Sequence, residues 1–183
     1  MAAILGLTYS DLVEVAKKAA DNEVCQAAND NDPSQVVVSG HKAAVERAIE
    51  IAKEMGAKRA VLLPVSAPFH SELMAPAALK MEDALSNTSV ADPEIPLVSN
   101  VKAQAVASAD EIRSLLVAQV TGVVRWRESI EWMASKGVTE TWEIGAGRAL
   151  SGMVRRIDRS ISCSSVSKPE EVKKVILSQN EMR

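Results

Sequence analysis

The chain has 183 residues, of which 47% are hydrophobic and 25% charged, a balance typical of a soluble globular protein rather than a disordered tail or a membrane protein. A folded chain of this length hides roughly 70% of the surface that it exposes when unfolded, so one or two domains can form a core without disulfides or metal. Five aromatic residues and a net charge of −3 disfavour a nucleic-acid-binding role, because such proteins need stacking rings or a basic surface.

The two cysteines form no recognisable pattern. Cys25 and Cys163 lie far apart, and neither belongs to a CxxC pair or has a histidine at metal-ligand spacing. We therefore expect two reduced thiols and no metal site. The first residues lack the basic start and long apolar run of a signal peptide, and no segment reaches the ~20 apolar residues that cross a bilayer. The sequence predicts a cytoplasmic protein with no membrane contact.

The first third of the chain predicts a complete small unit. Thr8 and Asp11 form a capping-box pattern at the start of one helix, and a second helix follows Gly40. Turn-forming residues at positions 29–34 separate the two central strands. The predicted strands cover residues 2–7, 24–28, 35–39 and 60–65. The order βαββαβ is the ferredoxin-like arrangement, so residues 1–65 are predicted to form a ferredoxin-like small subdomain.

The remaining residues predict a less complete unit. Pro64 and Pro68 bracket a loop, PVSAPFHS, that no regular element crosses comfortably. Strands are predicted at 95–99 and 139–144, and helices at 71–86, 110–120, 126–136, 148–157 and from 168 onward. Two strands are too few for a sheet of their own. Residues 66–183 are therefore expected to be part of a larger α/β subdomain, and the abrupt apolar start fits a chain cut from a longer protein.

His70 is the strongest candidate for chemistry. It ends the proline-bracketed loop between a strand and a helix, a common location of functional groups in α/β proteins. A helix N-terminus favours a neutral imidazole, which suits a general base. His41, at the start of the second helix, is better explained as structural. No serine lies in a GxSxG motif, and Gly145-Ala146-Gly147 lacks the spacing of a phosphate-binding loop and predicts a tight turn.

Six segments, taken in order, carry a family resemblance: MAAILGL, NDNDPSQVVVSGH, GAKRAVLLPVSAPFHSELMAPAA, IPLVSNV, VAQVTGVVRW and EIGAGRALSGMVRRI. Over residues 1–157 they closely resemble the bacterial malonyl-CoA:acyl carrier protein transacylases. The resemblance implies transfer of malonyl from malonyl-CoA to the phosphopantetheine thiol of acyl carrier protein through a seryl acyl-enzyme, in fatty acid biosynthesis, with no bound cofactor. It also implies that residues 66–183 are the C-terminal part of an α/β-hydrolase-like large subdomain.

The resemblance assigns roles to individual residues. The histidine of the family's PxSxxxH loop, the base for the serine and then for the carrier thiol, falls on His70. The glutamine whose backbone carbonyl orients that histidine matches Gln119. Phe69 either lines the acyl pocket or is a core aromatic residue. The polar positions that line the acyl-pantetheine cleft match Asn29, Asn31 and Gln35.

The sequence also departs from the family. The GHSxGE nucleophile motif, the oxyanion-hole loop and the arginine that pairs with the malonyl carboxylate would all precede Met1, and GAG replaces the usual GPG. We therefore expect the isolated chain to be inactive. One alternative is a non-catalytic module that binds acyl carrier protein, and another is a structural fragment that needs a further segment to fold. The candidate docking residues are Lys58, Arg59, Arg155 and Arg156.

Overall fold

The computed structural model describes residues 1–173 and 175, and its class is mixed α/β, as predicted. The first six elements form a four-stranded antiparallel sheet of order β2-β3-β1-β4 with two helices. They are β1 (Ala2–Leu5), α1 (Tyr9–Ala20), β2 (Cys25–Asp32), β3 (Gln35–Gly40), α2 (Lys42–Glu54) and β4 (Arg59–Leu62). This βαββαβ order is the predicted ferredoxin-like arrangement.

Helices α1 and α2 cover one face of this sheet. The capping box predicted at α1 is present, because the hydroxyl of Thr8 accepts from the Asp11 N–H and the Asp11 carboxylate accepts from the Thr8 N–H. The buried cluster under the helices contains Ile4, Leu12, Val15, Val36, Val38 and Val45. Each such side chain contributes roughly 1.5–3 kcal/mol by its burial. A smaller cluster on the opposite face contains Ala3, Ala28 and Val37.

Strand β2 is longer than the sequence predicts. The polar residues 29–32 continue to pair with β3 through two register shifts, instead of forming the turn. The turn itself is confined to Pro33 and Ser34, and the Asp32 carboxylate accepts from both the Ser34 N–H and the Ser34 hydroxyl. The carboxylates of this stretch have distant partners, described below, which local sequence patterns do not reveal.

The second half of the chain contains more strands than predicted. A short 3₁₀ helix at Glu72–Met74 precedes α3 (Ala75–Ser86), β5 (Leu97–Ser99), β6 (Gln104–Val106), α4 (Ala109–Thr121), α5 (Trp126–Ser135), β7 (Glu140–Ile144), α6 (Ala149–Ile157) and β8 (Ser162–Val166). Strands β5 and β6 form an antiparallel hairpin, and β7 and β8 a parallel pair joined through α6. The expectation of only two strands was wrong. It missed β6, which has only three residues, and β8, which is mostly serine and so lacks an apolar pattern. The helix predicted from residue 168 onward falls partly on residues that lie outside the described part of the chain.

Much apolar surface in this half is open. Ile144 on β7 is 80% exposed, Ile95 is 79% exposed and Leu79 on α3 is 68% exposed. Parallel strands are normally covered on both faces, so the β7–β8 pair and α3 present surfaces of the kind that other elements cover. Within the described part of the chain, no helix is both long enough and apolar enough to cross a membrane.

Candidate active site

The His70 ring is held by the backbone of α4. Its Nδ1 lies 3.0 Å from the main-chain oxygen of Gln119, the contact that the family resemblance implies for these two residues. A carbonyl oxygen only accepts hydrogen bonds, so this contact requires the proton on Nδ1 of the neutral ring. The lone pair is then on Nε2, which is the arrangement that a general base needs.

Contacts on both sides of His70 hold its loop. The His70 backbone has a φ of 58°, in the left-handed region that costs a non-glycine residue on the order of 1 kcal/mol. The buried hydroxyl of Ser71 donates to the Pro68 carbonyl at 2.7 Å. The Glu72 N–H donates to Oε1 of Gln26, in β2, at 2.7 Å. The last contact ties the loop to the βαββαβ unit, and Gln26 was not among the predicted site residues.

The ring of His41 accepts a hydrogen bond at Nδ1, where the ring of His70 donates one. Its Nδ1 accepts from the Val24 N–H at 2.9 Å, which places the proton of the neutral ring on Nε2. The contact joins the start of α2 to the segment before β2. This geometry fits the structural role expected of His41.

The predicted cleft residues lie near the β2–β3 turn. Asn29 and Asn31 are in β2, Gln35 is the first residue of β3, and all three are half-buried. In the part of the chain that the structure describes, their side-chain amides make no hydrogen bond. Phe69, next to His70, is 40% exposed in the described part of the chain. The binding roles of these residues stay predictions.

Strand β2 also contacts the segment that follows α4. The Asp30 N–H donates to the Val124 carbonyl, and the Val124 N–H donates to the Ala28 carbonyl, both at 2.9 Å. Val124 lies only a few residues after Gln119, which orients His70. The strand that carries Asn29 and the helix that orients the candidate base are therefore linked through backbone hydrogen bonds.

The candidate docking residues occupy two separate elements. The exposed Arg59 is the first residue of β4 and the exposed Lys58 precedes it, whereas Arg155 and Arg156 lie in the last turn of α6. A cavity of about 840 Å³ next to the β2–β3 turn is lined by Arg155, Arg156 and Arg159. The Arg156 guanidinium contacts the Asp32 carboxylate at 2.9–3.0 Å, so its charge is already compensated.

Cysteines and carboxylates could form two kinds of site in the described residues, a metal site and a reactive thiol. No group of three or more His, Cys, Asp or Glu side chains there could hold a metal ion. Burial raises the pKa of the Cys25 thiol to about 11, so this thiol stays protonated and weakly nucleophilic.

Comparison with known proteins gives a consistent result. The chain is 43% identical over 177 residues to the malonyl CoA-acyl carrier protein transacylase of Bacillus subtilis (strain 168), covering 96% of this chain and 56% of the relative. It is 41% identical over 169 residues to the transacylase of Escherichia coli (strain K12), covering 92% and 55%. No protein-family model matches the chain.

Solved structures match equally well. An acyl-carrier-protein-S-malonyltransferase from Bartonella henselae has a TM-score of 0.92 and 47% identity, over 97% of this chain and 56% of that one. A malonyl-transacylase solved in complex with its type II PKS acyl-carrier protein has a TM-score of 0.93 and 37% identity, over 97% and 57%. The chain thus spans little more than half the length of these relatives. Over that part, the resemblance in the sequence and the mixed α/β fold class are both confirmed.

Proposed function

We propose that this chain supplies the general base and the thioester-binding sheet of a malonyl-CoA:acyl carrier protein transacylase. The observation that carries the proposal is the 3.0 Å contact between Nδ1 of His70 and the Gln119 carbonyl, which leaves Nε2 of His70 as the proton acceptor. The similarity to transacylases over almost the whole chain supports the choice of reaction.

In this reaction His70 handles one proton in each half. It takes the proton of a serine hydroxyl while the serine oxygen attacks the thioester carbonyl of malonyl-CoA. The carbon–sulfur bond breaks, and coenzyme A leaves as a thiol with that proton. In the second half, His70 takes the proton of the carrier thiol, the thiol attacks the acyl-serine ester, and the proton returns to the serine. Nothing is oxidised or reduced, so the exchange needs no redox cofactor.

This sequence contains no GHSxGE motif, so none of its serines matches the nucleophile of the family. We propose that the portion of the relatives that this chain does not span supplies the serine, the oxyanion hole and the malonyl-binding arginine. The isolated chain is then inactive. That portion is proposed to pack against α3 and β7, where Leu79 and Ile144 are open.

One buried group supports this packing. The indole Nε1–H of Trp126 is buried, with no hydrogen-bond partner among the residues described. Trp126 also borders an apolar cavity of about 380 Å³ that Trp142 and Leu150 help to line. Buried polar groups in complete proteins nearly always have partners, so we propose that the side chains enclosing Nε1 rearrange when the covering segment packs, until an acceptor reaches this N–H.

The substrate roles follow from position. The half-buried amides of Asn29, Asn31 and Gln35 are proposed to bind the pantetheine arm, and Phe69 to contact the acyl group beside the base. Residues 1–65 and 66–183 then form the two sides of one cleft. We place the reaction in the cytoplasm, where malonyl-CoA and the carrier protein are substrates in solution.

The test is malonyl transfer from malonyl-CoA to holo acyl carrier protein. The isolated chain is compared with a fusion in which the portion of the Bacillus subtilis relative that this chain does not span is placed ahead of this chain. We expect turnover from the fusion only, reduced at least ~100-fold by His70→Ala, as is typical for loss of a general base. His41→Ala is the matched control and should retain activity. Turnover by the isolated chain, or equal turnover in the His70→Ala fusion, would contradict the proposal.

A non-catalytic role in carrier-protein binding is the second candidate, and the arginine-lined cavity at α6 favours it. It predicts salt-sensitive binding of the acidic carrier protein that survives His70→Ala and weakens in Arg155→Glu. Lys58→Glu and Arg59→Glu test the other basic pair, and Lys18→Glu on α1 is a control of the same charge change. Binding that is unaffected by all of these changes would exclude the predicted docking residues.

A further inference from the structure

Two carboxylates of β2 are almost completely buried against arginines from the other half of the chain. Asp30 and Asp32 are each 1% exposed. Nε of Arg127, in α5, lies 3.1–3.2 Å from the two carboxylate oxygens of Asp30, and its Nη2 donates to Oδ2 at 2.8 Å. Arg156, in α6, contacts Asp32 at 2.9–3.0 Å. A buried carboxylate is rare without such a partner.

These pairs act on the part of β2 that carries the predicted cleft residues. Asp30 lies opposite Val36, which packs under α1 and α2, whereas Asn29 lies opposite Val37, in the cluster on the other face. Cross-strand neighbours share a face of the sheet, so Asp30 and Asn29 point to opposite sides. Gln26, which binds the loop after His70, is in register with Ser39 and shares the face of Val37.

The pairing of β2 with β3 is irregular on both sides of Asp30. β2 has shifts between Ala27 and Asn29 and between Asp30 and Asp32, where an extra residue interrupts the ladder. A slip of one residue would turn Asn29 to the opposite face. The Asp30–Arg127 pair lies between the two shifts, next to the backbone hydrogen bonds that join Asp30 and Val124. It therefore anchors the strand at its least regular point.

We propose that Arg127 is a positioning residue that, by pairing with Asp30, holds β2 in the register that places Asn29 on the same face as Gln26 and the His70 loop. The Asp32–Arg156 pair is a second anchor at the end of the hairpin. The register of β2 is a property of the isolated chain and can be tested without the proposed function. Only the interpretation of the Asn29 face as a substrate cleft rests on that function.

The experiment uses the isolated chain, labelled with ¹⁵N, and measures amide hydrogen exchange together with the ring resonances of His70. Arg127→Gln should speed exchange at Asp30 and Val124 at least tenfold more than at Val38 in β3, and should shift the His70 ring signals. Arg127→Lys, which keeps the charge, should restore both partly. Arg47→Gln is the matched control, because Arg47 pairs with Glu23 inside the βαββαβ unit and should leave both readouts unchanged.

Two results would overturn the inference. If exchange accelerates equally in all four strands of the β2-β3-β1-β4 sheet, Arg127 contributes only to overall stability. If exchange at Asp30 and Val124 is unchanged, Arg127 does not hold the register of β2. If Arg127→Gln does not fold, Asp30→Asn keeps the shape of the side chain and is judged by the same two readouts. This experiment measures no acyl transfer. It can therefore contradict the role of Arg127 without bearing on the proposed reaction, which the transfer assay tests separately.

Discussion

Nδ1 of His70 lies 3.0 Å from the main-chain oxygen of Gln119, 49 residues further along the chain. Nδ1 of His41 instead lies 2.9 Å from the main-chain nitrogen of Val24, which donates to it. The first contact requires the imidazole proton on Nδ1 and the second requires it on Nε2. Two backbone groups thus give the two histidines of this chain opposite tautomers, and only the tautomer of His70 leaves Nε2 able to accept a proton.

The tautomers can be observed directly. At about pH 9, above the range in which imidazole side chains ordinarily titrate, ¹⁵N NMR of the isolated chain should show a protonated Nδ1 for His70 and a protonated Nε2 for His41. Each histidine is the control for the other in the same spectrum. The same tautomer at both residues, or the reverse assignment, would contradict the role given to the Gln119 carbonyl.

Gln26 is distant from His70 in the sequence, but its side chain should affect the turnover of the fusion. Gln26→Ala removes the acceptor of the Glu72 N–H and so loosens the loop that holds His70 at a positive φ. We expect about a tenfold lower kcat in the fusion, and a loss of about 1 kcal/mol in the free energy of unfolding, the usual contribution of one hydrogen bond.

Gln104→Ala is the control for this change, because Gln104 is exposed in the short strand β6. Its kcat and stability should match those of the unchanged fusion. Equal kcat values for the Gln26 and Gln104 variants would show that the contact with Glu72 does not position the base.

The elements that the sequence predicts well are those with strong local signals. Apolar periodicity and the capping box of Thr8 located α1, and the proline-bracketed loop located His70. The end of β2 was placed too early because aspartates favour turns when only neighbouring residues are considered. The arginines that pair with Asp30 and Asp32 lie 97 and 124 residues further along the chain, and no spacing in the sequence indicates such pairs. The contact of Gln26 with the His70 loop is equally non-local.

The two buried aspartates should respond to acid in opposite directions. Burial alone would raise the pKa of Asp32, but hydrogen bonds from Arg156 and Ser34 outweigh it, so the pKa lies below its ordinary value. Ionised Asp32 therefore contributes stability above about pH 4, which is lost as the pH falls through its folded-state pKa. Burial raises the pKa of Asp30 despite the hydrogen bonds from Arg127, so protonating Asp30 favours the folded state.

Urea unfolding, followed by tryptophan fluorescence, tests this difference. Below about pH 4, the unchanged chain should lose free energy of unfolding relative to Asp32→Asn. As the pH falls toward about 4, it should gain free energy of unfolding relative to Asp30→Asn. Because both variants carry the same Asp→Asn change in one strand, each controls for the other. Parallel pH profiles for the two differences would contradict the assigned directions.

Ile144 distinguishes the isolated chain from the longer protein proposed above. It lies on β7, in a two-stranded parallel sheet, and is 80% exposed. Ile144→Asp should change the stability of the isolated chain by less than about 0.5 kcal/mol, as at other exposed positions. In the fusion, where a further segment is expected to cover β7, the same change would bury a carboxylate and cost about 2 kcal/mol or more.

Met55→Asp is the matched control, since Met55 is exposed at the end of α2, outside the open sheet. Its effect on the free energy of unfolding should be equal in the two proteins. The measurement is the free energy of unfolding of each variant, in the isolated chain and in the fusion. An equal cost of Ile144→Asp in the two proteins would mean that the added segment does not cover β7, and would contradict the packing proposed above.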